Sequence, residues 1–250
     1  MSSTKKIVIV GATSAIAEHC ARLWVQREAA EMVLVGRDAA RLASVAADLK
    51  VRSPQSSFSV LCTDFLDSTA IQATVDEVGA AGAPDIVLIA HGALPDQGEC
   101  QESLAACRDA LMLNGVSPAL FAEAFAEAMH KVGRGTIALI GSVAGDRGRK
   151  SNYVYGSAKG MVARYAQGLQ HRFAGSSVKV VLLKPGPTDT PMTAHLKTQG
   201  AKLASVESVA AQIVAAIERG RPVAYVPGKW RLIMQIIRHL PAFVFNKLNI

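Results

Sequence analysis

Short apolar runs recur at regular intervals along the chain, and longer stretches with helical spacing lie between them. Residues 6–10, 32–35, 57–61, 86–90, 136–140, 179–183 and 223–226 read as strands. Residues 15–27, 39–51, 68–79, 100–130, 152–173 and 206–219 read as helices. The strand candidates are apolar at successive positions rather than at alternate ones, the mark of strands covered on both faces. Strands that alternate with helices form βαβ units, whose right-handed crossovers build an α/β fold with a doubly wound, mainly parallel sheet. Such a sheet binds ligands outside the carboxyl ends of its strands. No linker divides the chain, and half of its 250 residues are hydrophobic, enough for one substantial core. A single domain is expected over residues 1–228, followed by a tail of different character over 229–250. Residues 186–204 are irregular, follow a strand end and suit a lid over the site.

Several function classes recede on composition. Cys20, Cys62, Cys100 and Cys107 form no C-x-x-C pair and no cluster with histidines, so neither a disulfide framework nor a metal site is expected. The net charge of +7 is not concentrated in an aromatic-interleaved basic patch or a helix-turn-helix, so nucleic acid is not the expected partner. An anionic cofactor, an anionic substrate or an acidic membrane surface suits the charge equally. The basic start before Ile7 imitates a signal peptide, but its apolar run is too short and leads straight into Gly11. No stretch approaches the ~20 apolar residues of a membrane span.

The first strand candidate runs into Gly11-Ala-Thr-Ser-Ala-Ile-Ala17 and then a helix. A strand, a tight turn of small residues and a helix N-terminus make a phosphate-binding corner, because free backbone N–H groups and the helix dipole both favour an anion. Gly11, Ala15 and Ile16 would offer backbone, and Thr13 and Ser14 hydroxyls. The second strand ends at Val35-Gly36-Arg37. An acidic residue there would hold the ribose of NAD; an arginine suits the 2′-phosphate of NADP. Arg37 therefore points to NADP, with Ser14 and Arg41 as helpers. Asp64, beyond the third strand, would accept from an adenine amine or cap the next helix.

Tyr155-Gly-Ser-Ala-Lys159 follows Ser142 by thirteen residues. Tyr155 and Lys159 stand four apart on a predicted helix, so both lie on one face. An ammonium beside a phenol lowers its pKa from ~10 and makes it a usable acid–base. Ser142, at the end of the fifth strand, would polarise a substrate oxygen. Tyr153 has Ser157 rather than lysine at the same interval, so the chemistry falls to Tyr155.

These residues resemble the short-chain dehydrogenase/reductase family over essentially the whole chain. The resemblance implies a Rossmann-like domain, a Ser-Tyr-Lys catalytic set and a nicotinamide cofactor, in a homodimer or homotetramer. Asn114, in Leu111-Met-Leu-Asn114, matches the asparagine that supports a water relay to the lysine. Lys184-Pro-Gly-Pro-Thr188 matches the segment in which Pro185, Gly186 and Thr188 meet the nicotinamide end. The sequence departs from the family in two places. Ala15 and Ala17 stand where glycines are common. Ile89-Ala-His-Gly92 replaces the usual Asn-Asn-Ala-Gly, which leaves Ala90 and Gly92 their backbone contacts to the cofactor but removes the asparagine bond that braces the sheet. His91 there reads as a structural histidine or, less expected, a catalytic one.

Arg147, Arg149 and Lys150 lie between Ser142 and Tyr155 and would either receive an anion at the mouth of the site or form a solvated basic turn. In the tail, Trp230, Ile233, Met234 and Ile237 share one helical face while Arg231, Gln235 and Arg238 line another. The tail would pack on its own domain, on a partner subunit or on a membrane interface. The loop 145–155, Met192-Thr-Ala-His-Leu-Lys197, Arg238-His-Leu-Pro and the final Lys247-Leu-Asn-Ile resemble one branch of the family, the reductases of polyprenyl-phosphate-linked keto sugars in cell wall biogenesis. The resemblance implies a lipid-linked keto substrate and a cytoplasmic protein, free or peripheral on the inner membrane. A reductase of a soluble ketone, steroid or acyl chain is the alternative with the same chemistry. A catalytically idle NADP-binding regulator or scaffold is the alternative of another class.

Overall fold

The computed structural model describes residues 4–198 and 200–248. Seven strands, β1 (Lys5–Val10), β2 (Ala30–Gly36), β3 (Ser57–Cys62), β4 (Ile86–Ile89), β5 (Arg134–Ile140), β6 (Ser177–Pro185) and β7 (Val223–Val226), form one sheet in the order β3-β2-β1-β4-β5-β6-β7. Every pairing is parallel. Eleven α-helices are described: α1 (Ala15–Arg27), α2 (Ala39–Arg52), α3 (Ser68–Ala80), α4 (Gln97–Glu102), α5 (Leu104–Leu111), α6 (Ser117–Val132), α7 (Tyr153–Arg172), α8 (Ala194–Thr198), α9 (Val206–Glu218), α10 (Lys229–His239) and α11 (Ala242–Phe245).

Successive side chains of a strand point to opposite faces, and both faces are buried here. Ile7, Ile9, Met32 and Leu34 pack with α1, α2 and α9. Val8, Val10, Val33 and Val35 pack with α3, α6 and α7. The strand order reverses between β1 and β4, which opens a crevice at their carboxyl ends. The segments that follow β1 and β4 approach closely there. Gly11 has φ +82°, and a Cβ on it would lie 2.6 Å from the His91 backbone nitrogen, so only glycine fits.

The helix expected over 100–130 is four pieces. Ser103 is extended and accepts from the Ala106 N–H, which ends α4 and starts α5. A π-helical turn, Met112–Val116, then precedes α6. Pro118, at the start of α6, has no N–H to give the Asn114 carbonyl, and a wider turn accommodates its ring. Residues 186–204 hold a 3₁₀ turn and α8 rather than plain coil. Their base is tied by Asp189 N–H to the Ala204 carbonyl and Ala204 N–H to the Pro187 carbonyl. Gln199, in this stretch, and the first three and last two residues of the chain, including the end of Lys247-Leu-Asn-Ile, lie outside the described residues.

The face with Trp230, Ile233, Met234 and Ile237 turns inward onto its own domain, where Met234 is 1% exposed. Trp230 lies so close to Gly186 that a Cβ there would overlap its indole. Leu232, Ile236 and Phe243 remain on the outside. Among the described residues no helix is long and apolar enough to cross a membrane.

Candidate active site

Two adjoining hollows lie at the carboxyl ends of the strands. The first, of about 280 Å³, is lined by Ser142, Tyr155, Lys159, Arg149, Asn152 and Thr188, among others. The second, of about 540 Å³, runs beneath the N-terminus of α1 and is lined by Gly11, Thr13, Ser14, Ala15, Ile16 and Arg37, among others. Ser14, Ile16, His91 and Gly92 belong to both, so the hollows adjoin.

The catalytic wall is fixed by close backbone packing. The 3₁₀ turn Val143–Asp146 lies directly on α7. A Cβ on Gly145 would meet the Lys159 carbonyl carbon at 2.7 Å, and one on Gly156 would meet the Ala144 carbonyl oxygen at 2.9 Å. These contacts hold Ser142 and Tyr155 in the wall of one hollow. Lys159 is 3% exposed; its ammonium donates to the Ile140 carbonyl at 3.0 Å and lies 5.8 Å from the Tyr155 ring centroid. The net shift of the Tyr155 pKa is upward, opposite to the expected lowering. Burial dominates and pushes the phenol up to about 12, with the Ser142 hydroxyl pulling the other way. Burial also pushes Lys159 down to about 8. At neutral pH the phenol therefore keeps its proton, the state a proton donor needs. Tyr153 is 42% exposed, outside this wall.

Asn114 is 1% exposed in the π-helical turn. Its Oδ1 accepts from Ala93 N–H and its Nδ2 donates to the Ala110 carbonyl, both at 2.9 Å. It thus braces the Gly92–Ala93 backbone beside Lys159 and makes no direct bond to the ammonium. His91 stands one residue past the two asparagine positions of the family segment, which Ile89 and Ala90 occupy here. Its Nε2 meets Ser117 Oγ at 2.9 Å and its ring packs on Phe65 and Phe121. Burial, then the charges of Lys159 and Arg37, push it down to about 3, so it is neutral at physiological pH.

The groove offers groups that suit the phosphates of a dinucleotide. Ser14, the N-cap of α1, makes no capping bond, which leaves its hydroxyl and the helix N–H groups free. Arg37 is exposed and pairs with no acid among the described residues. Asp38, which the sequence reading passed over, also lines the groove and is the acidic residue that would favour NAD. One of its oxygens is engaged, since it caps α2 by accepting from Arg41 N–H at 3.0 Å. Asp64 neither lines this groove nor caps the helix after it; it accepts from Leu66 N–H, and Asp67 caps α3. Ala90, Pro185, Gly186 and Thr188 line the first hollow, with Thr188 Oγ1 donating to the Gly186 carbonyl.

The three cations of the loop part company. Arg147 donates to the Ile237 and Leu240 carbonyls at 2.5 and 2.7 Å and lies 3.8 Å over the Phe245 ring. It clamps the tail and is not an anion receptor. Lys150 is exposed and does not line the hollow; Arg149 does. A trio absent from the sequence reading, two of its side chains buried, supports the loop: Lys184 pairs with Asp146, which also accepts from Tyr225 at 2.7 Å.

A doubly wound parallel sheet with this switch-point groove and this wall defines an NAD(P)-dependent oxidoreductase. The chain belongs to the short chain dehydrogenase family, whose profile matches residues 5–201. It is 32% identical over 248 residues to an uncharacterized oxidoreductase of Streptomyces coelicolor, covering 98% of this chain and 96% of that one. It is 31% identical over 248 residues to one of Mycobacterium tuberculosis, covering 97% and 96%. A solved short-chain dehydrogenase from Sphingobium yanoikuyae in complex with NADPH superposes with a TM-score of 0.82 at 22% identity, covering 95% and 97%. A bulky-bulky ketone specific alcohol dehydrogenase from Comamonas testosteroni gives 0.80 at 20% identity, covering 99% and 96%.

Proposed function

We propose that the protein reduces a ketone with NADPH, using Tyr155 as proton donor, Ser142 to steady the carbonyl oxygen, and Lys159 to stabilise the phenolate. Ser142, Tyr155 and the buried Lys159, lining one hollow that adjoins the groove at the N-terminus of α1, carry this reading. When bound, the cofactor supplies the hydride that adds to the carbonyl carbon. As that C–H bond forms, the carbonyl π pair moves onto oxygen, and Tyr155 transfers its proton there. Ser142 donates to the same oxygen as its charge develops. Lys159, charged below about 8, lowers the cost of the phenolate left behind. Arg37 and Ser14 would hold the 2′-phosphate and α1 the pyrophosphate.

For the substrate, we favour a polyprenyl-phosphate-linked keto sugar of the decaprenylphosphoryl-2-keto-pentose type. The loop and tail residues that resemble that branch support it. So does the outer face of the tail, where Leu232, Ile236 and Phe243 lie exposed among Lys229, Arg231 and Lys247, a pattern suited to an acidic membrane surface. The test is oxidation of NADPH and NADH with that keto-pentose as acceptor, repeated with Tyr155→Phe. Turnover with NADPH should fall by ~10³-fold in the variant, with cofactor affinity unchanged. Substantial turnover by the variant would end the assignment of Tyr155. NADPH binding without reduction of the keto-pentose would redirect the substrate search.

A further inference from the structure

A buried polar atom without a partner costs ~1–3 kcal/mol, and native proteins retain few of them. Two such atoms stand three residues apart in the wall of the catalytic hollow, Arg149 Nε and Asn152 Oδ1. Among the described residues the Arg149 guanidinium makes no hydrogen bond and no ion pair. Burial alone lowers its pKa, the sign of a cation with no acid beside it. The nearest acid in sequence, Asp146, is taken by Lys184 and Tyr225.

Asn152 is anomalous in a complementary way. It is the N-cap of α7, where asparagine ordinarily accepts a hydrogen bond from the first turn, yet its side chain makes no capping bond. Gln97, from α4, takes over that duty by accepting from Val154 N–H at 3.1 Å. The asparagine is thereby left free to face something else. A donor fork with positive charge and an acceptor, lining the same hollow as Tyr155, form a matched pair of demands.

We propose that Arg149 and Asn152 form a substrate subsite for a hydroxylated ketone that carries an oxyanion, with Arg149 taking the oxyanion and Asn152 accepting from a hydroxyl. This rests on the reading of the hollow as a ketone-reducing site and names what its wall selects. A guanidinium fork matches phosphate or carboxylate by two parallel bonds. The neighbouring Arg147 cannot share the role, because its donors are spent on the tail.

The test is calorimetric titration of the full-length protein with ribulose 5-phosphate, uncharged ribulose and a keto-hexonate, each with NADPH present. The phosphate ester should bind at least tenfold tighter than ribulose, and the carboxylate arm shows whether any oxyanion suffices. Arg149→Gln should bring ribulose 5-phosphate to the affinity of ribulose, and Arg149→Lys should retain part of the preference. The ligand-free Arg149→Gln protein should melt no lower than wild type, since it loses a buried unpaired cation rather than a bond. Asn152→Ala should weaken all three ligands about equally. Equal affinities in the wild type, no binding of the phosphate ester at millimolar concentration, or a preference that survives Arg149→Gln would overturn the proposal. Failure of the ketone-reductase reading would show differently, as absent NADPH oxidation with every carbonyl acceptor while the binding preference persists.

Discussion

The catalytic wall and the cofactor groove share Ser14, Ile16, His91 and Gly92 but are built on opposite physics. The wall is made of polar groups taken out of water. Lys159, Asn114 and Lys184 are all under a tenth exposed, and each has a specific partner. The groove offers Arg37 at the surface and the unsatisfied first turn of α1. Burial shifts proton affinities and makes every missing partner costly. Exposure leaves charge reachable but screened by salt. The wall should therefore answer to substitution through stability and pH, and the groove through cofactor choice.

The largest effect should come from breaking the wall's support. Asp146→Asn leaves the Lys184 ammonium buried without its counter-charge. Removing one partner of a buried pair costs ~3–5 kcal/mol. Urea denaturation should show that loss, and Asp146→Leu combined with Lys184→Met should restore most of it. A single variant as stable as wild type would mean that the wall is wetter than its geometry implies, and the contrast with the groove would fail.

On the groove side the effect should be smaller and confined to one cofactor. A charged hydrogen bond contributes ~1.5–3 kcal/mol, or about 10–100-fold in affinity. Arg37→Ser should weaken NADPH by about that factor and leave NADH nearly unchanged. Added salt should narrow the wild-type preference, as fluorescence titration would show. Equal losses for both cofactors would shift the role to Asp38 and favour NAD.

The same contrast explains what the sequence made legible. Buried parallel strands leave continuous apolar runs, so all seven strands lie within two residues of the expected ends. Tyr155 and Lys159 are four apart on one helix, a local relation that spacing alone reveals. The support of the wall is not local. Lys184 and Tyr225 reach Asp146 from 38 and 79 residues away, and no periodicity marks such partners. Nor does the sequence separate Arg147 from Arg149, since only the fold shows that the tail engages the first. The break in the expected 100–130 helix did have local signals, Ser103 and Pro118, which its apolar spacing outweighed. Asp38 was also in view, one residue past the arginine that drew attention.

The subtlest expected effect is in the pH profile, and it tests burial itself as the source of the wall's chemistry. Desolvation favours the neutral forms of both groups, so it moves the phenol up to about 12 and the ammonium down to about 8. Tyr155 then stays protonated from pH 6 to 10, while Lys159 is charged below pH 8 and neutral above it. His91, pushed down to about 3, does not titrate in this range. For carbonyl reduction the charged lysine is needed to stabilise the phenolate, so kcat/KM should be level below pH 8 and fall by about tenfold per unit above it. Lys159→Arg replaces the ammonium by a group that keeps its proton, so any activity that remains should lose this limb. A wild-type limb displaced to the ordinary lysine range would mean that solvent reaches Lys159 in the working enzyme. The wall would then be governed by the same screened charges as the groove.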